Sequence, residues 1–118
     1  MLGLLFVGIN LKVISLVFPI NKSKYLKMIK RYEVIFSGMV QGVGFRFSAR
    51  NLAIRYKIKG VVMNLPDGKV KLLAQGQRED LDDFLHDLKD EFKRYIEDYS
   101  LHESEASESY KDFQIKFF

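Results

Sequence analysis

The stretch Gly38-Met39-Val40-Gln41-Gly42-Val43-Gly44-Phe45-Arg46 joins a strand-like run to a helix-like run and brings three glycines and an arginine to the junction. Glycine lets the backbone turn several N–H groups toward one point, and a helix N-terminus adds unpaired donors and the positive end of its dipole. The arginine completes an anion site. The stretch therefore predicts a phosphate-binding loop, and spacing alone leaves one alternative, a glycine-rich connection with a surface arginine.

Gly44 falls at the cap of the predicted helix, where Ser, Thr, Asp or Asn would normally bond the first amides through a side-chain oxygen. Because glycine has no such oxygen, those amides stay open for a ligand. The guanidinium of Arg46 stays protonated and can bond two phosphate oxygens at once. The other oxygens are expected to be held by the backbone amides of Gln41, Gly42, Val43, Gly44 and Phe45.

A second cluster lies downstream, where Gly60-Val61-Val62-Met63-Asn64 is followed by Leu65-Pro66-Asp67-Gly68. The first part predicts a strand that ends at Asn64. Pro-Asp-Gly has the chemistry of a tight turn, and the alternating residues from Lys69 to Ala74 predict the returning strand of a hairpin.

Periodicity along the rest of the chain predicts the order strand, helix, strand, strand, helix, strand. The first strand covers residues 32–37, and apolar residues at helical spacing predict helices over 45–56 and 78–92. A fourth strand is expected around 96–102, and a fifth is possible at 113–117. This order is that of an α+β ferredoxin-like sandwich, βαββαβ, with two helices on one face of an antiparallel sheet. Such a fold names no function by itself.

Together the two glycine clusters resemble the acylphosphatase family, whose first signature is G-x-V-Q-G-V-x-F-R and whose second is a G-x-V-x-N strand followed by a D-G turn. All seven fixed positions of the first signature are present. At average usage of about 5–7% per residue type, they rarely coincide by chance. The resemblance runs from about Tyr32 to Phe117. Val61 stands where many members carry Trp, a departure that bears on packing beside the site more than on chemistry.

The resemblance implies hydrolysis of the carboxyl–phosphate bond of acyl phosphates to a carboxylate and inorganic phosphate. Carried over residue by residue, it makes Arg46 the charge clamp and Asn64 the residue that orients water, with no metal and no other cofactor. A carboxylate whose conjugate acid has a pKa of about 4 leaves without a general acid, and phosphate itself can take the proton from water. We expect a metal-independent, cytoplasmic, monomeric acylphosphatase whose partner is a small-molecule acyl phosphate.

Composition limits the alternatives. With 118 residues and 47% hydrophobic content, the chain predicts one domain with a single core. Six basic and no acidic residues precede position 32, so the remainder carries 13 basic residues against 15 acidic ones and no nucleic acid partner is expected. The absence of cysteine excludes disulfides and thiolate metal sites, and His86 and His102 are predicted to be solvated instead of ligating.

Residues 1–31 form an apolar, then basic, extension ahead of the predicted domain 32–118. The apolar run of residues 1–20 is long enough for a membrane anchor, the only circumstance in which a membrane partner is expected. Lys12 within it would cost about 2.5–3.5 kcal/mol on insertion. The favoured interpretation is that translation begins at Met28, and native peptides from residues 1–27 would contradict it.

Two other functions stay open at this point. A non-catalytic ferredoxin-like module could bind an anion or RNA, since RNA-recognition domains share the element order and Gly44-Phe45-Arg46-Phe47 has a passing likeness to their aromatic motif. An acylphosphatase-like module of a hydrogenase maturation protein would act on carbamoyl phosphate, but it is normally joined to cysteine-rich zinc segments.

Overall fold

The computed structural model describes residues 28–106 and 110–117. The possible membrane anchor in residues 1–20 lies outside that part of the chain, as do all of residues 1–27, which a start at Met28 would leave untranslated. The elements are β1 (Ile29–Gly38), α1 (Phe45–Arg55), β2 (Lys59–Asn64), β3 (Val70–Gln77), α2 (Arg78–Glu91), β4 (Ile96–Glu105) and β5 (Phe113–Lys116). The expected α+β ferredoxin-like order is confirmed, and the possible fifth strand is present.

Two strands are longer than the hydrophobic pattern predicts. β1 begins at Ile29, three residues before the predicted start, and β4 continues to Glu105. The reason is backbone pairing, since Ile29 pairs with Gln77 on one side and Lys30 pairs with Glu105 on the other. Main-chain hydrogen bonds extend the ladder through positions whose side chains give no alternating apolar signal.

The five strands form one sheet in the order β4-β1-β3-β2-β5. All neighbours are antiparallel except β2 and β5, which are parallel, so the sheet is mixed at one edge. Because β1 and β2 both run antiparallel to β3, they are parallel to each other. Their carboxyl ends therefore lie at the same end of the sheet, which we call the loop end because the glycine-rich loop follows β1 there.

The core lies between the sheet and the two helices. Alternate residues of β1 and β3 face the helices, as the period of a strand requires. Aromatic packing holds the start of α1 against the core. The ring centroid of Phe45 lies 4.9 Å from that of Phe36 and 4.8 Å from that of Phe92. The helices contribute the buried residues Phe45, Ala49, Leu52, Ala53, Leu81, Phe84, Leu85 and Leu88.

Gly38, the first glycine of the loop, is required by packing. It has φ of 122°, and a Cβ there would collide with the carbonyl oxygen of Tyr95. The register between β1 and β4 shifts at this point, and the amide of Met39 donates to the same carbonyl at 2.9 Å. Gly38 therefore brings the start of β4 against the loop, and it is not one of the residues that face open space.

Candidate active site

The glycine-rich loop delivers an uncapped helix N-terminus, as predicted. Gly44 is the cap residue of α1, with φ 83° and ψ 14°, and no side chain of the described residues makes a capping hydrogen bond there. Gly42 has φ of 77°. Among residues 28–106 and 110–117, a Cβ added at Gly42 or Gly44 would meet no atom within 4 Å, so both glycines border open space in the described part of the chain. The left-handed backbone and the open surroundings are what an anion-binding loop requires.

Arg46 lies in the first turn of α1 and is half-buried. In residues 28–106 and 110–117 no carboxylate lies within ion-pair distance of its guanidinium. The guanidinium instead lies against an aromatic ring, since its Cζ atom is 5.2 Å from the centroid of the Phe117 ring. The hydrogen-bonding edge of the guanidinium is thus not used by a neighbouring acid in the described chain.

Asn64 is the last residue of β2, at the loop end of the sheet. It pairs with Val70 of β3, and Val70 pairs on its other side with Phe36 of β1. Neighbouring strands lie about 4.8 Å apart, so the Cα atoms of Asn64 and Phe36 are about 10 Å apart. Phe36 is two residues before the end of β1. Strand alternation places Asn64 on the same face as the buried Val62, which is the face that α1 covers. The structure therefore brings Asn64 and Arg46 to one end and one face of the sheet.

The amide oxygen of Asn64 is in an unusual state. Oδ1 is buried and has no hydrogen-bond partner among the described residues. Nearly all buried polar atoms in proteins are bonded, and an exception calls for an explanation. An acceptor held at a ligand site, next to a loop that borders open space, is such an explanation.

Gln41 takes a role that the sequence did not predict. The sequence predicted a role for its backbone amide alone, but its side-chain Nε2 donates to the carbonyl oxygens of Leu65 at 2.8 Å and of Lys69 at 2.9 Å. Both amide hydrogens are thereby used. Gln41 ties the glycine-rich loop to the turn that follows Asn64, so it sets the distance between the two halves of the site. Gln41 is a fixed position of the signature, which indicated that the residue is important. A signature does not show, however, which atoms its side chain bonds.

The β2–β3 turn has the predicted chemistry. Asp67 Oδ1 accepts from the amide of Lys69 at 3.0 Å, and the amide of Gly68 donates to the carbonyl of Leu65 at 3.2 Å. These bonds hold the chain rigidly just after Asn64. Asp67 and Gly68 therefore act as turn residues, which was the prediction.

The groups with perturbed pKa values lie away from the loop. Burial, together with a 2.6 Å hydrogen bond to Asp82, raises the pKa of Tyr32 to about 12. Tyr32 is six residues before the end of β1, about 20 Å along the strand from Gly38. Burial also raises the pKa of Asp80 on α2. The bond between Tyr32 and Asp82 joins β1 to α2, so the raised pKa of Tyr32 belongs to the contact between α2 and the sheet.

The described residues also bear on the expectations about metal ions, the membrane and histidine. In the described part of the chain, no three His, Asp or Glu side chains lie close enough together to hold a metal ion. The same residues include no helix that is both long and apolar enough to cross a membrane. The side chain of His86 is 81% exposed beside Asp87, as a solvated histidine would be.

The fold and the site define a class: a small α+β domain that presents an uncapped helix N-terminus and an arginine to an anion at one end of its sheet. Within that class, residues 32–115 match the model of the acylphosphatase family. The chain belongs to the acylphosphatase family.

The similarity to individual relatives covers about three quarters of this chain and nearly all of each relative. The acylphosphatase of Clostridium acetobutylicum is 36% identical over 92 residues, which cover 76% of this chain and all of that protein. The acylphosphatase of Thermotoga petrophila is 37% identical over 90 residues, which cover 75% of this chain and 99% of that one. The crystal structure of the Bacillus subtilis acylphosphatase is similar with a TM-score of 0.68 and 34% identity, covering 74% of this chain and 98% of that one.

A full-length HypF structure in its phosphate- and nucleotide-bound form is also similar, with a TM-score of 0.65 and 33% identity. It covers 75% of this chain but only 12% of HypF. The likeness is thus to one part of a much longer protein.

The family, the fold class and the enzyme class expected from the sequence are confirmed. The RNA-binding alternative is not favoured. Phe45, the aromatic residue that begins the proposed motif, is 2% exposed and packs in the core. A buried ring at a helix start cannot stack on a base, whereas RNA-recognition domains display their aromatic residues on the open sheet.

Proposed function

We propose that this chain hydrolyses the carboxyl–phosphate bond of small acyl phosphates at the loop end of its sheet. The observation that supports the proposal is that α1 begins uncapped at the loop end of the sheet, with Arg46 in its first turn, and that β2 ends at Asn64 at the same end. Family membership supports the reaction type.

In the proposed complex, phosphate oxygens accept hydrogen bonds from the loop amides between Gln41 and Phe45. Arg46 donates to one or two of the same oxygens through its fork. The positive end of the α1 dipole adds to the charge, and a helix N-terminus is a favourable site for phosphate. These groups neutralise charge that spreads over the phosphoryl oxygens as the bond to the carboxylate breaks.

Asn64 orients the attacking water. Its carboxamide accepts a hydrogen bond from one water hydrogen or donates one to the water oxygen, and so places that oxygen in line with phosphorus on the side away from the acyl group. The new bond forms between that oxygen and phosphorus, while the bond between phosphorus and the acyl oxygen breaks and leaves its electron pair on the carboxylate. The water proton passes to a phosphate oxygen. Positioning of this kind is a large part of phosphoryl-transfer catalysis.

This mechanism needs neither a general acid nor a strong base from the protein. A carboxylate is stable as a leaving group near neutral pH because the pKa of its acid is about 4. The mechanism also uses no metal, and we expect turnover to be unchanged when EDTA is present. A large loss of activity on chelation would show that a cation takes part.

The test is phosphate release from benzoyl phosphate by Arg46→Ala and Asn64→Ala. Each should lower the rate by about 10²-fold or more, the usual loss for one preorganised donor or acceptor. Matched controls are Arg50→Ala, one helical turn further along α1, and Asn51→Ala, which is exposed on the same helix. Both controls should retain activity. Near-native turnover by the two site variants, with circular dichroism unchanged, would refute the assignment.

The proposal also covers the preferred acyl group, the localisation, the oligomeric state and the domain limits. Benzoyl, acetyl and carbamoyl phosphate measured side by side would establish which acyl group is preferred. We propose a cytoplasmic monomer in which residues 32–118 form the catalytic domain and residues 1–31 an extension, with no nucleic acid partner. Gel filtration, filter binding with RNA and mass spectrometry of the native N-terminus test these points.

A further inference from the structure

Phe117 directly follows β5 and is 81% exposed, yet its ring lies under the guanidinium of Arg46. The Cζ atom of Arg46 is 5.2 Å from the ring centroid, which is within the range of a cation–π interaction. A ring so exposed contributes little to the core. Its position therefore matters more for the arginine than for folding.

The register of the sheet explains why the ring is there. β5 is parallel to β2, with Val62 opposite Ile115 and Met63 opposite Lys116. Continuing this register by one residue places Phe117 level with Asn64, and strand alternation puts it on the face of Ile115, which packs against the core. The parallel edge strand thus delivers an aromatic ring to the loop end of the sheet, on the side where α1 begins.

An aromatic ring is a suitable support for a phosphate-binding arginine. The ring attracts the guanidinium through its face, whereas the N–H donors of the guanidinium point outward in its own plane. A carboxylate partner would instead occupy those donors. A stacked guanidinium is therefore held in place while its hydrogen-bonding edge stays available to an anion.

We propose that Phe117 is a positioning residue that holds the guanidinium of Arg46 beside the glycine-rich loop. This inference rests on the proposed function, because it requires Arg46 to bind the phosphate of the substrate. With the ring present, the long arginine side chain loses less conformational freedom when phosphate arrives. The ring itself touches neither phosphate nor water in the proposed mechanism.

The experiment replaces Phe117 in the full chain by Leu, which keeps an apolar side chain without an aromatic face, and by Tyr, which keeps the face. Phe117→Leu should raise KM for benzoyl phosphate and the inhibition constant of inorganic phosphate about two- to fivefold, the range expected for an exposed cation–π interaction. The effect on kcat should be smaller, because the chemical step still has its arginine. Phe117→Tyr should restore both constants.

Phe47→Leu is the matched control. Phe47 is 59% exposed, and the Cζ atom of Arg50 lies 5.4 Å from its ring centroid. The substitution therefore removes an equivalent cation–π pair on the same helix, away from the phosphate contacts. This control should leave both constants unchanged, and all three variants should unfold at the wild-type temperature.

The outcomes separate the two proposals. If Arg46→Ala is inactive but Phe117→Leu has wild-type constants, the inference about Phe117 is wrong and the proposed function stands. The inference is also overturned if Phe117→Tyr behaves like Phe117→Leu, or if Phe47→Leu weakens phosphate inhibition equally. If Arg46→Ala itself turns over benzoyl phosphate normally, the proposed function fails.

Discussion

Gln41→Glu is the substitution for which the structure gives the sharpest expectation. The change conserves size but replaces the two N–H donors of the side chain by a carboxylate oxygen. That oxygen would face the carbonyls of Leu65 and Lys69, which now lie 2.8 and 2.9 Å from Nε2. Three acceptors cannot bond one another, so the loop and the β2–β3 turn must separate or the side chain must leave.

The magnitude follows from the two lost bonds. A net contribution of about 0.5–1.5 kcal/mol for each predicts a free energy of unfolding lower by about 1–3 kcal/mol. The separation also moves the loop amides relative to Asn64. A displacement of about 1 Å can cost about 10²-fold in rate, and we expect kcat/KM to fall by about 10- to 100-fold.

The assay combines denaturant unfolding with turnover of benzoyl phosphate. Gln41→Met, which removes both donors without adding charge, should lose similar stability but retain tighter inhibition by inorganic phosphate than Gln41→Glu. Gln114→Glu is the control for added charge, because Gln114 is exposed on β5 and its side chain faces away from the helices. It should change stability and turnover little.

Wild-type kcat/KM in Gln41→Glu would refute this reasoning, because the bridge from Gln41 would then not set the geometry of the site. A loss of stability without a loss of activity would mean that the bridge supports the fold alone.

Two further predictions concern the backbone and pH. Gly44→Ala, at φ 83°, should lower the free energy of unfolding by about 1–2 kcal/mol and weaken phosphate inhibition, whereas Gly68→Ala, at φ 92°, should cost similar stability with less effect on inhibition. The pKa of Tyr32 is raised from 10.0 to about 12, so the folded state keeps the phenol proton of Tyr32 to a higher pH than the unfolded state does. Stability should therefore fall by about 1 kcal/mol between pH 9 and 11 through this group, and urea unfolding of Tyr32→Phe should lack that part of the fall.

Much of this protein could be predicted from local patterns. The turn at Asp67 and Gly68, the uncapped start of α1 at Gly44 and the periods of the elements all depend on residues close together in the chain. Such features follow from backbone preferences and side-chain spacing, which the sequence carries directly. The strands that extended beyond their apolar pattern did so because partner strands bonded them, and a partner cannot be read from the strand itself.

The sequence by itself determined the order of the elements, the two signatures and therefore the family. Only the tertiary structure decided that Gln41 bonds the far turn, that β5 pairs in parallel with β2, and that the ring of Phe117 lies under Arg46. The physical reason is distance along the chain, since these contacts join residues separated by 24 to 71 positions. Contacts of that kind depend on how the whole sheet assembles, and no local preference encodes them.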